Sequence, residues 1–173
     1  MKNLISLAII GLMLFTASSC GNSRDYYGAC EDQNFKKAHR ILNDMRQDIQ
    51  KELKDSEGTN FTYWAGLYKE YITAGIHIYE EEFKYLFDQE DDENNPRIKV
   101  LWGEFGSWVY QVNEELDGLK SQYGSNYVYE GEFSEVQQHV LLAGAMKLQN
   151  TLQYLAQAYN NKEILQIFEQ NAP

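Results

Sequence analysis

The chain is poor in the residues from which reactive centres are usually built. It has three histidines, two cysteines and two prolines in 173 residues. Ferritin-like metal centres need two Glu-x-x-His pairs, because that spacing turns both ligands inward on one helix face. None is present: Glu135 and His139 are four apart, and His77 precedes Glu80 in the reverse order. No metal and no cofactor is therefore assigned. A Gly-x-Ser-x-Gly elbow for a nucleophilic serine and a Gly-x-x-x-x-Gly-Lys phosphate loop are both missing, so no catalytic residue can be named and the chain reads as a non-enzyme. Positive charge is scarce too, with 15 Lys and Arg against 26 Asp and Glu, a formal net charge of −11. Binding to a phosphate backbone relies on the opposite balance, so nucleic acid is not an expected partner.

The acidic residues do not form a calcium loop. The run Asp88, Glu90, Asp91, Asp92, Glu93 has Glu93 where an EF-hand needs glycine and Lys99 where it needs a bidentate glutamate, and it reads as a solvated connection between helices. Paired carboxylates for glycoside hydrolysis are left open, since 26 acidic residues always bring some pair within reach.

Long apolar runs are also absent, with one exception. After Met1 and Lys2, residues Leu4 to Ala17 are apolar or small apart from Ser6 and Thr16. This run falls short of the ~20 residues that span a bilayer and has the plan of a secretory signal. It ends in Ala17-Ser18-Ser19-Cys20, which resembles the lipobox of bacterial lipoproteins. The resemblance covers about 20 residues and implies cleavage before Cys20, a diacylglyceryl group on its sulfur and an acylated amino terminus. It divides the chain into a signal peptide (1–19), a lipidated tether (20–33) and one helical domain (34–173). A Cys20–Cys30 disulfide is then excluded, which leaves Cys30 as a free thiol or an intermolecular partner. The implied location is the bacterial cell envelope. Gly21 stands where aspartate favours inner-membrane retention, so the outer membrane is expected if the source is diderm.

The remainder is patterned for helices. Phe35, Ala38, Leu42, Met45, Ile49 and Leu53 step by three and four behind a possible cap at Asp32 or Asn34. A second helix is expected from Asn60 to Phe87, with Trp64, Leu67, Tyr71, Gly75, Ile78, Phe83 and Leu86 on one side. Pro96, with Asn95 as cap, ends that region and opens a third helix through Ile98, Leu101, Phe105, Trp108, Val112, Leu116 and Leu119. The stretch "YGSNYVYEGEFS" reads as a loop or short strand. Ser134 and Gln137 form a capping box for a fourth helix through Leu141, Ala145, Leu148, Leu152, Leu155 and Tyr159. Asn160-Asn161 breaks it before a short helix from Glu163 to Glu169. The fold class is all-α: an antiparallel four-helix bundle with a short C-terminal helix. Stacked hairpins of the tetratricopeptide type are the alternative, suggested by "FKKAHRILNDM" and "NNKEILQIFEQ", although no repeat of about 34 residues is present.

Tyrosine is abundant, with thirteen copies. Nine aromatic residues lie between Phe61 and Phe87, too many for one helix face, so Tyr63, Tyr79 and Tyr85 are expected as an aromatic rim. Tyr123, Tyr127, Tyr129 and Phe133 lie on the connection before the fourth helix and form the candidate partner-binding patch. The leading expectation is a membrane-anchored accessory, immunity or exclusion factor with an envelope or extracellular protein partner. A module for glycans or an apolar ligand is the second reading, and a hydrolase the third.

Overall fold

The computed structural model describes residues 25–55, 60–89, 96–123, 127–159 and 165–166. Among these residues the protein is all-α. The helices are α1 (Tyr26–Glu31), α2 (Phe35–Asp55), α3 (Phe61–Gln89), α4 (Pro96–Tyr123), α5 (Tyr127–Glu135) and α6 (Ala143–Ala158). A π-helical segment, Val136–Leu142, joins α5 to α6, so the last three form one rod.

Ring contacts fix the directions of the rods. Phe61 meets Tyr123 at 5.4 Å and Phe83 meets Trp102 at 6.4 Å between centroids, so α3 and α4 are antiparallel. Phe35 meets Tyr85, which sets α2 against α3. Phe61 faces Phe133 and Phe87 faces Tyr159, so the α5–α6 rod runs with α3. The order is up-down-up-down, as short connections between long helices require. Helix α3 lies in the middle and touches every other element. Long helices without a repeated hairpin rule out the tetratricopeptide-like alternative for this region.

Side chains set several helix ends. Asn34 Oδ1 accepts from Lys37 N at 3.2 Å and Asn60 Oδ1 accepts from Tyr63 N at 3.2 Å, satisfying amides that the first turn leaves open. Asp25 does the same for α1 through Gly28 N. Gln33, at φ 57°, makes the left-handed turn from α1 into α2.

Three expectations change. Residues 26–31, read as part of the tether, form α1, and Ala29 and Cys30 sink into the core. The stretch after Tyr123, read as loop or strand, is helical from Tyr127 onward. Ser134 therefore lies inside a continuous rod, not at a cap, because Phe133 and Val136 on either side of it are anchored in the core. Asn95, Glu90–Glu93 and most of the last helix fall outside the described residues. Leu165 within that helix packs against the core.

The helical glycines divide by surroundings. A Cβ on Gly75 would run into the Trp108 indole, whereas Gly103 and Gly106 face open space. Gly103→Ala and Gly106→Ala should each raise stability by about 0.5–1 kcal/mol, the helix-propensity gain. Gly75→Ala should lower it by about 1–3 kcal/mol through overpacking. Urea titration of the three variants checks this, and a neutral Gly75→Ala would show that the indole can move aside.

Candidate functional site

The two aromatic groups read from the sequence are redistributed by the fold. Phe133 is only 2% exposed and packs its edge on Phe61 and Tyr68, so it is a core residue and not a binding residue. Tyr123 is half-buried against Phe61, and its hydroxyl accepts from Gln122 Nε2 at 3.0 Å. Tyr127 and Tyr129 lie in α5, and their side chains fall outside the described residues. Of the expected rim, Tyr79 is 5% exposed among Phe105, Trp108 and His39, again a core residue. Burial and the nearby carboxylates Glu104 and Glu82 push its hydroxyl well above the ordinary phenol range. Tyr85 is half-buried on Phe35.

Tyr63, 48% exposed, stands at the start of α3. It belongs to the same end of the bundle as Tyr123 and the start of α5. Thr62 beside it donates to Glu132 Oε1 at 3.0 Å, which ties α3 to α5 there. The fold thus places Tyr63 of the expected rim at the same end as Tyr123 of the expected patch, and puts Tyr79 and Phe133 in the core. The chain enters the domain elsewhere: Tyr26 and Tyr27 stack on each other and lie against His77, sixteen positions further along α3 than Phe61. At 1.5 Å per residue these two levels are about 24 Å apart.

The titratable groups that sequence reasoning passed over are in the interior. Glu82 is 6% exposed, the one buried charged side chain among the described residues. His39 Nε2 lies 2.7 Å from its Oε2, and Arg97 Nη2 donates to Oε1 at 2.9 Å. Arg97 also donates to Glu104 at 3.0 Å. Burial alone would raise the Glu82 carboxyl, but the hydrogen bonds and charges of His39 and Arg97 outweigh it and hold the carboxyl below its ordinary range. The signal in the sequence was a glutamate four residues after Ile78 on an apolar face. Nothing in the spacing told which side chains from α2 and α4 would reach it.

A second ion pair, Arg46 Nε to Glu115 Oε1 at 2.6 Å, links α2 to α4, with the Tyr68 hydroxyl donating to Glu115 Oε2 at 3.4 Å. Cys30 is a free, buried thiol. Burial, then Glu81 and Glu82, push it up to about 11, which makes thiolate scarce at neutral pH.

The three histidines lie apart. His39 is bound to Glu82, His77 contacts the α1 tyrosines, and His139 is exposed on the π segment. No group of three metal-ligating side chains occurs among the described residues. No described helix is long and apolar enough to cross a membrane. A shallow depression of about 390 Å³ lies over the α5–π junction, lined by Gly131, Ser134, Glu135, Gln138 and His139. It offers polar groups on one open side only. Comparison with protein-family models, with curated proteins and with solved structures finds no match to this chain.

Proposed function

We propose that the chain is a membrane-anchored envelope lipoprotein that acts as a protein-binding accessory, immunity or exclusion factor, with its partner surface at the Tyr63–Tyr123 end. The polarity of the domain carries this reading. A lipid on Cys20 would hold the chain near the His77 level, about midway along α3, while the aromatic end lies about 24 Å away, back at the start of α3. Because α1 is part of the domain, the tether shortens to the residues between Cys20 and Asp25. The five residue steps from Cys20 to Asp25 reach at most about 18 Å, so the domain works close to the bilayer, with its aromatic end set away from the anchored level. A half-exposed tyrosine with an apolar body and a polar tip suits an interface. In a diderm source the anchor would be in the outer membrane.

Two measurements test the two halves separately. Fatty-acid labelling should mark the wild type and not Cys20→Ser, and fractionation should release the variant from the membrane. An unlabelled wild type removes the anchor. For the partner, Tyr63→Ala combined with Tyr123→Ala should weaken capture of a stoichiometric envelope protein by at least ~2 kcal/mol, the scale of a hot spot. Undiminished capture would move the interface off this end.

A further inference from the structure

Helix α6 is poor in charge for its length. In a chain of net charge −11, it carries a single charged residue, Lys147. With Leu142, the last residue of the π segment, its outer side presents an i, i+4 row, Leu142, Met146, Asn150, Tyr154 and Ala158, and every member is exposed. Met146 is 65% and Tyr154 70% exposed, among the most exposed large apolar side chains described. Solvated helix faces are normally lined with charge. This one is not.

The geometry points to a second copy of this chain as the occupant of that row. Two observations choose a copy over an unrelated protein. The first is symmetry: the row is centred on Asn150, with an apolar residue four and eight positions to either side. A two-fold axis through Asn150 lays Met146 of one copy on Tyr154 of the other, a sulfur on a ring, and sets Leu142 against Ala158, large against small. Asn150 meets its own equivalent, and an amide is both donor and acceptor, so the pair satisfies itself and fixes the register. The i, i+4 rows of two helices run side by side when the axes cross at about 50°, a common packing class.

The second observation is charge. A copy carrying the same −11 is repelled by the acidic faces of its twin, and the α6 row, whose five members are all uncharged and which is flanked by one lysine, Lys147, is where that repulsion is least. A basic partner would be drawn to the acidic faces instead. This surface lies on a different helix from Tyr63 and Tyr123, so it stands or falls independently of the partner end.

Sedimentation equilibrium of the full chain in density-matched detergent tests the inference. The wild type should show a two-fold mass at the upper end of a concentration series. Met146→Glu with Tyr154→Glu should be monomeric, because each glutamate then faces another across the axis. Met146→Lys with Tyr154→Glu should restore the two-fold mass, because the same axis now pairs opposite charges. Both positions are exposed, so circular dichroism should show unchanged helix content in all three.

A monomeric wild type overturns the proposal. If Met146 in that monomer also resists peroxide oxidation, the row is covered by the chain's own residues beyond Tyr159. A double-glutamate variant that stays dimeric moves the interface elsewhere. A Lys/Glu variant as monomeric as the Glu/Glu variant overturns the antiparallel register.

Discussion

Replacing Trp108 by alanine is expected to lower the unfolding free energy by about 3–5 kcal/mol. The indole sits where α4 presses on α3. It packs on Tyr71, Tyr79 and Phe105 at 5.6–6.0 Å between ring centroids and lies across Gly75, where no Cβ could be accommodated. Its Nε1 donates to the Tyr71 hydroxyl at 2.8 Å. Truncation thus opens a cavity walled by rings, which collapse poorly because they are rigid. It also leaves the Tyr71 oxygen, held deep enough that burial pushes its ionisation up to about 12, without its donor. Tyr71→Phe separates the two contributions, because it removes the acceptor and keeps the packing. It should cost about 1–3 kcal/mol, the penalty of an unpaired buried donor. Chemical denaturation of both variants decides the matter, and a loss below about 1 kcal/mol for Trp108→Ala would place the indole on the surface.

Helices with one buried side were legible in the sequence. Every position of the α4 stripe from Ile98 to Leu116 is buried, and Leu119 is partly so. The α2 stripe is similarly one-sided. Helix α3 was legible only in outline. It is the central rod, so Tyr68, Ile72, Ala74, Tyr79 and Phe87 are buried in addition to the expected stripe. A reading that assigns one face to a helix assigns such residues to a rim, and Tyr79 was misplaced for that reason.

Helix α5 was illegible for a different cause. Tyr127, Val128 and Tyr129 between glycines favour extended or loop structure locally. The burial of Phe133 and Val136 against α3 and α4 overrides that preference. The Ser134 pattern is chemically a capping box, but a cap requires a helix to begin there, and this one had begun at Tyr127. Much of the candidate site follows from α5: once it is helical, Glu132 and Phe133 reach Thr62 and Phe61 at the start of α3, and segments far apart in sequence become one end of the bundle.

The Glu82 hub yields the other large expected effect. Three helices meet on one carboxylate, with His39 from α2 and Arg97 from α4 supplying the hydrogen bonds that let the charge stay inside. Replacing both, His39→Leu with Arg97→Met, strands Glu82 in the interior. The cost at neutral pH should be about 3 kcal/mol, the low end for a broken buried pair because Arg97 is partly in water. The pH dependence follows from the direction of the Glu82 shift. Its folded carboxyl is held below its ordinary value of 4.5, so its contribution in the wild type is complete above that value and fades as pH falls through the lower folded one. In the double variant the stranded carboxyl is governed by burial alone and is raised, so acid relieves it. The gap between the two proteins should therefore narrow from pH 7 toward pH 4 in urea titrations. Adding Glu82→Leu to the double variant removes the stranded charge and should recover most of the loss, since apolar replacement of a whole buried cluster is often neutral. A gap that stays constant with pH would mean that the double variant loses packing and not charge pairing, and that Glu82 reaches water by another route.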